Sequence, residues 1–482
     1  MLRRHRFSAA AILACAAALV LAGCAGSSGS GGKKRRQTIL LTEYDDARVG
    51  REAASQVAAE VGLVEDPELT AYVDRIGQKL LRGVARRSFQ YQFSVVDQFE
   101  PNAFALPGGY IFLSRGLLAL ANNEDEVANV IGHEITHAAL RHAAAQQALA
   151  KSGNPLAMPW VRAAHLASYG RDMEREADRG GQMLAAAAGY DPMGMSTFLK
   201  NLGLLERFVI GYARLPTFFD THPGSQERAA INAARAREIR WKRDPALGDT
   251  RAAHLRRVDG LALGDRPETG IFVGERFLHP DLDFQIRFPE GWRTSNTNRA
   301  VGAVSPRGDA VVFLTADQPS GDPKEVAEAF VAKIQEEGRV AVRQSQPVKI
   351  GRLDAWRMEL SGSDGRVSVV ATMTFIPYRG ATWRITGASP ASTAQQYLGR
   401  TLNTARSFRP LTPEERSSIR TTVLRLATPR HGEDLTALGA RTDNAWEPAR
   451  TAVFNGIFSN ERFQGDELVK IARIEPYAPS PP

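Results

Sequence analysis

Apolar positions change their period partway along the chain. Up to about residue 248 they recur at helical spacing in an alanine-rich background, and from 270 to 410 they alternate between turn-rich breaks. In the first part, Val127, Val130, Ile131, Ile135 and Ala138 form one broad apolar face behind Asn123. Asn123 is a good N-cap, and Glu124 and Glu126 fall in the first turn, where the helix dipole favours negative charge. A helix is therefore predicted from Glu124 onward. Before it, Tyr91 to Asp97 and Tyr110 to Ser114 alternate as strands do, and Pro107-Gly108-Gly109 marks a turn between Asn102 to Leu106 and the second strand. In the later part, strands are predicted at Phe284 to Phe288, Ala310 to Leu314, Trp356 to Leu360, Val367 to Phe375 and Thr382 to Thr386, with one helix around Lys324 to Glu337. That mixture reads as a separate α+β domain.

Chemistry concentrates on the predicted helix. Its stretch VIGHEITHAALRH, Val130 to His142, holds three of the nine histidines in the chain. An accidental HExxH at this composition is expected in roughly one chain in a hundred. Histidines four apart stack on one face of a helix, so His133 and His137 project together, with Glu134 about 100° round the axis, placed to take a proton from water rather than to bind a metal. His142, five residues past His137, points elsewhere on a continued helix and reads as a surface or packing residue. A catalytic zinc takes three protein ligands and keeps one position for water. No HExxHxxGxxH continuation supplies the third, since Leu140 stands where the glycine would be.

Downstream, SYGRDMEREADRGGQMLAAAAGY reads as an alanine-rich helix on which Glu174 and Asp178 lie one turn apart and Glu176 faces away. HExxH followed by ExxxD on a second helix resembles metallopeptidase family 48. PNAFALPGGYIFLSRGLL, Pro101 to Leu118, and FFDTHPGSQERAAI, Phe218 to Ile231, are similar to two further segments of that family. The resemblance spans roughly residues 45 to 245, about 40% of the chain. It implies one Zn²⁺ per chain held by His133, His137 and Glu174, with Asp178 orienting a ligand histidine. It also implies that His222 and Arg228 lie near the metal. Two roles are open to His222: an oxyanion donor backed by Arg228, or a neutral ligand that occupies the water's place and keeps the enzyme latent. The latch is favoured, because Gly211 to Asp220 reads as a flexible loop able to carry the histidine in and out. An edge strand beside the zinc helix would bind an extended peptide by strand addition.

The ends of the chain give an address. MLRRHRFSAAAILACAAALVLAGC has Arg3, Arg4 and Arg6, then an apolar run short of a comfortable membrane span, then Leu21-Ala22-Gly23-Cys24. This looks like a bacterial lipoprotein signal, implying cleavage before Cys24 and lipidation of its thiol. Ala25 is not the aspartate that retains such proteins at the inner membrane, so the inner leaflet of the outer membrane is expected. Only two cysteines exist, Cys15 in the signal and Cys24, which leaves no disulfide. Losing three arginines takes the formal charge from +8 to +5. No basic stripe with interleaved aromatics supports nucleic-acid binding, and Lys33 to Arg36 reads as a solvated linker. FQIRFPEGW, Phe284 to Trp292, and ITGASP, Ile385 to Pro390, look like PsbP-type domains; PRHGEDLTALGA, VFNGI and GDELVKIARI resemble a LysM module, a family that binds peptidoglycan.

The expected fold class is α+β and multidomain: signal peptide 1–23, lipidated Gly/Ser/basic tether 24–42, a mainly helical zinc metallopeptidase domain 43–248 with a small β-hairpin or sheet, an α+β PsbP-like sandwich 265–410, and a small LysM-like region 411–482. The expected function is zinc endopeptidase of the bacterial envelope. Unfolded or misassembled outer-membrane and periplasmic proteins are the expected substrates, with the outer-membrane assembly machinery and peptidoglycan as further partners. A non-enzymatic assembly factor or chaperone on a metallopeptidase scaffold is the alternative.

Overall fold

The computed structural model describes residues 42–84, 89–143, 170–206, 218, 222, 225–298, 300–317, 321–337, 340–363 and 368–478. The signal peptide, Cys24 and nearly all of the tether lie outside the described residues. So do Thr221, Pro223 and the 211–220 loop except Phe218. Among the described residues no helix is long and apolar enough to cross a membrane. The chain forms two compact units, one of Arg36–Gly264 with Arg420–Glu475, the other containing Asp265–Ile419.

The first unit opens with α1 (Glu43–Glu60) and α2 (Pro67–Leu81), then β1 (Gln92–Val96), β2 (Ala103–Leu106) and β3 (Tyr110–Ser114). β2 and β3 form the expected hairpin across Pro107-Gly108-Gly109, and β1 pairs parallel to β3, giving the order β1-β3-β2 with β2 at an edge. Both turn glycines need positive φ, +82° at Gly108 and +88° at Gly109, which side-chain-bearing residues rarely adopt. A short α3 (Arg115–Leu120) leads into α4 (Glu124–Ala139), which carries HExxH; α5 (Arg171–Ala187), α6 (Gly194–Leu205), α7 (Ser225–Glu238) and α8 (Thr250–Val258) follow.

α4 is buried from Glu124 to Ala138, so its polar residues all require partners. Asn123 caps it by accepting from the Glu126 N–H at 2.8 Å. In the first turn Glu124 meets Arg75 at 2.7 Å, Asp125 meets Arg243 at 3.0 Å and accepts from Thr250 at 2.7 Å, and Glu126 accepts from the Asn122 N–H at 2.8 Å. The apolar side, including Val127, Val130, Ile131 and Ile135, joins one core with α2, α6, β1 and β3. α5 comes unusually close through glycine: a Cβ at Gly132 would lie 2.8 Å from the Gly181 carbonyl oxygen, and one at Gly181 would lie 2.6 Å from the His133 nitrogen.

The second unit holds β4 (Ile271–Val273), β5 (Arg276–His279), β6 (Phe284–Arg287), β7 (Arg293–Asn296), β8 (Val301–Val304), β9 (Val311–Asp317), α9 (Pro323–Glu337), β10 (Val340–Ile350), β11 (Leu353–Ser363), β12 (Ser368–Tyr378), β13 (Ala381–Pro390), α10 (Ala394–Arg406) and α11 (Pro413–Ser418). It is α+β, as its alternation predicts. An antiparallel seven-stranded sheet runs β10-β11-β12-β13-β9-β8-β7 beside a small β4-β5-β6 sheet. The pattern had given no strand at β10, because Arg343, Gln344, Ser345, Gln346 and Pro347 interrupt any apolar alternation. It is an edge strand, largely exposed, with a register shift at Val342/Gln344.

The chain then returns to the first unit through β14 (Arg420–Ala427), α12 (Leu435–Thr442), α13 (Pro448–Asn455) and β15 (Val469–Pro476). Leu424, Trp446, Val453, Phe454 and Ala472 enter the same core as the HExxH helix. The attachment is also polar. The fully buried Lys470 ammonium donates to the carbonyls of Ala119, Leu120 and Ala121 at 2.8, 3.2 and 2.7 Å, satisfying the open end of α3.

Candidate metal centre

His133 and His137 share a face of α4, and α5 brings Glu174 and Asp178 against that face. Glu174 and Asp178 are buried, whereas the Glu176 side chain is 60% exposed. His222, just before α7, completes the group. Ligand atoms of His133, His137, Glu174 and His222 all lie within 4.8 Å of one another, and all four residues are buried. Donor atoms at ordinary Zn–N and Zn–O lengths on one tetrahedral ion sit roughly 3.3–3.6 Å apart. Here His133 Nε2 lies 3.0 Å from His137 Nε2, 3.3 Å from His222 Nδ1 and 3.6 Å from Glu174 Oε2, and Glu174 Oε1 lies 3.4 Å from His137 Nε2 and 2.9 Å from His222 Nδ1. The cluster is therefore able to hold one metal ion of zinc's size.

The far side of each ring supports this. His133 Nδ1 is 3.0 Å from Asp178 Oδ1, close enough for the carboxylate to favour a proton on that nitrogen and leave Nε2 facing the cluster. His137 places its Nε2 at the same centre while its Nδ1 faces a different partner. At 3.0 Å the two Nε2 atoms suit either a hydrogen bond between the rings or two lone pairs shared by a cation. Burial drives the His137 imidazole well below its ordinary pKa, with the His133 ring adding to the effect, and so favours the neutral ligand form.

Burial works against the Glu174 carboxylate, yet the imidazoles of His222, His137 and His133 outweigh it and hold its pKa well below the carboxylate range. The same balance lowers Asp178, where Arg228 provides most of the opposing stabilisation. Arg228 meets Asp178 at 2.6 Å and Glu174 at 2.6 Å and donates to the His222 carbonyl at 3.2 Å; Asn232 donates to Asp178 at 2.8 Å. Arg228 thus ties the acidic helix to the His222 segment. Glu134 differs from the other carboxylates. Burial raises its pKa, and neither carboxylate oxygen accepts a hydrogen bond from the described residues. That is the environment of a proton acceptor facing a small polar ligand.

One expectation requires correction. His142 does not point away: it is 4% exposed, and its Nδ1 lies 2.8 Å from His137 Nδ1. The helix ends at Ala139, and Arg141 adopts the left-handed conformation at φ 53°, folding the chain back. Helical spacing could not anticipate a turn outside the helix. Asn232 also escaped the sequence reading, since an asparagine within QERAAINAARAR looks like solvated surface.

The buried HExxH helix and the facing carboxylate helix, with His222, bring four donors into a group able to hold one metal ion. Residues 67–238, about a third of the chain, match the model of peptidase family M48. The beta-barrel assembly-enhancing protease of Escherichia coli K12 is 29% identical over 221 residues, covering 40% of this chain and 44% of that protein. Its Yersinia pestis counterpart is 31% identical over 209 residues, covering 38% and 42%. The mitochondrial metalloendopeptidase OMA1 of Schizosaccharomyces pombe is 27% identical over 200 residues, covering 38% and 58%. The chain thus spans about half the length of the curated relatives it matches. Among solved structures, cyanobacterial PsbP from Synechocystis covers 31% of this chain and 99% of its own, at 13% identity and a TM-score of 0.24.

Proposed function

We propose that the chain is a zinc endopeptidase of the bacterial envelope, in which His133, His137 and Glu174 hold the metal and Glu134 is the general base. The observation that carries this is the buried Glu134 carboxylate, without a hydrogen-bond partner among the described residues, beside a cluster of four converging metal donors. Bound there, zinc would supply Lewis acidity, polarising the scissile carbonyl and lowering the pKa of water from 15.7 towards ~7. Glu134 takes the proton from water and delivers it to the leaving amine. Burial raises the pKa of this carboxylate, which favours proton capture. Asp178 and Arg228 set the orientation of His133 and of the His222 segment.

His222 is proposed as a latch. With its Nδ1 among the other donors, His222 would compete with water for a place on a bound ion. β2 is an edge strand packed beside α4, but all four of its residues are buried, which argues against strand addition at that edge. Unfolded or misassembled envelope proteins are the proposed substrates, in line with the name of the enterobacterial relatives, and the outer-membrane assembly machinery is the proposed setting. Anchoring through a lipidated Cys24 is proposed from the LAGC sequence; Cys24→Ser leaving the membrane fraction unchanged after a high-salt wash would remove it. Glycan binding by the C-terminal segment is proposed from its LysM-like motifs, and a peptidoglycan pull-down tests it.

The deciding experiment measures zinc content and cleavage of an unfolded outer-membrane protein by wild type and Glu134→Gln. The variant should retain zinc and lose cleavage, because a base is removed and no ligand is. Cleavage near the wild-type rate would end the peptidase assignment. Zinc binding without cleavage by wild type, under conditions that displace His222, would favour the non-enzymatic assembly factor.

A further inference from the structure

We infer that His142 is a positioning residue that fixes the tautomer and ring angle of His137. The inference rests on His137 being a metal ligand, as proposed above. With Nε2 turned to the metal donors, a neutral His137 has its single proton on Nδ1. The nitrogen facing that proton, at 2.8 Å, is His142 Nδ1, so His142 must offer a lone pair there and carry its own proton on Nε2. His142 Nε2 in turn faces Glu176 Oε2 at 3.4 Å. The chain of groups has one consistent direction: His137 donates to His142, and His142 donates to Glu176. His137 thereby receives what His133 receives from Asp178, a fixed partner on the nitrogen away from the metal.

The backbone provides independent support. Arg141 stands at φ 53°, a conformation that costs a side-chain-bearing residue energy and persists only when its surroundings enforce it. The enforcement is a two-pronged ion pair, Arg141 Nε at 2.5 Å and Nη2 at 3.0 Å from the buried carboxylate of Asp46 on α1. This strained turn, held from 95 residues away in sequence, places the next residue, His142, against the back of a ligand imidazole. Glu176, set aside on sequence grounds because it faces away from the cluster, becomes the outer end of this chain of groups.

Two substitutions separate positioning from packing. Asn places its Oδ1 where His142 has Nδ1 and can accept from His137; Leu fills the space and accepts nothing. Zinc dissociation constants from chelator competition, on full-length protein, are expected to rise ~10- to 100-fold in His142→Leu and to recover most of the loss in His142→Asn. Electronic absorption of the cobalt-loaded protein should shift in His142→Leu and return in His142→Asn. Equal losses in both variants would reduce His142 to packing and overturn the inference, as would unchanged affinity in His142→Leu. His137→Ala is run alongside: if it keeps wild-type zinc affinity, the ligand assignment beneath the inference has failed, whereas lost zinc there with intact zinc in His142→Leu sinks only the positioning role. Glu176→Leu lies on an exposed face where folding is not at stake, and it is expected to weaken zinc several-fold in the same direction. Should the His142 variants fail to fold, full affinity in Glu176→Leu overturns the inference.

Discussion

Asp178 Oδ1 sits 3.0 Å from His133 Nδ1 while the same carboxylate is gripped by Arg228 at 2.6 Å. The carboxylate therefore orients the ring and is itself held in place. Asp178→Asn keeps the shape but removes the charge that Arg228 neutralises. Zinc affinity should fall ~10- to 100-fold, less than the near-complete loss expected for Glu174→Ala. Chelator competition on both variants checks the ranking; equal losses would place Asp178 among the ligands.

His222→Ala separates the two roles open to that residue. As a latch it restrains the resting enzyme, so basal casein cleavage should rise and self-cleavage should appear. As an oxyanion donor it would instead cost ~10²- to 10³-fold in turnover with zinc retained. Slower cleavage at full zinc occupancy would remove the latch, and an unchanged rate would remove both roles.

Gly181→Ala should injure the site without touching any functional group. The added Cβ would meet the His133 nitrogen at 2.6 Å and its Cα at 3.0 Å, both backbone atoms that cannot swing aside. α4 and α5 must part, carrying Glu174 away from the histidines. Lower zinc affinity and a lower melting temperature should appear together; retention of both would show that the helix contact is looser than its geometry.

Stability should fall in acid through His254, which is far from the cluster in function. Its Nδ1 lies 2.8 Å from the Tyr72 hydroxyl and its Nε2 3.0 Å from the carbonyls of Leu118 and Ala121. Burial, aided by Lys470, pushes its pKa down to about 3, against 6.5 for an ordinary imidazole. A depressed folded-state pKa means the unfolded chain binds the proton more tightly. This contribution is fully present above about pH 6.5 and declines as pH falls towards 3. Melting curves in chelator between pH 7 and 4, for wild type and His254→Gln, should show a shallower decline in the variant.

What the sequence made legible was local. Asn123, the acidic first turn and the spacing of Val127, Val130 and Ile131 specify α4 within sixteen residues, so the geometry of His133, Glu134 and His137 could be read directly. The facing helix was readable because Glu174 and Asp178 are one turn apart. His142 was not, because its position depends on Arg141 bending for Asp46, a partner remote in sequence. The linear division of the chain likewise concealed that residues 420–475 pack within the first unit, since Lys470 alone gives no hint that its acceptors lie some 350 positions earlier.

That last attachment sets an order of events during synthesis. A ribosome has delivered the HExxH helix, the facing carboxylates and the whole 265–419 unit before Lys470 emerges. Until then the carbonyls of Ala119, Leu120 and Ala121, immediately upstream of the Asn123 cap, lack their ammonium donor, and the core lacks Trp446, Phe454 and Ala472. The core behind the proposed catalytic groups is thus completed by residues some 350 positions downstream of the carbonyls they meet. A growing polypeptide therefore carries the proposed metal donors and base before the core that backs them is complete.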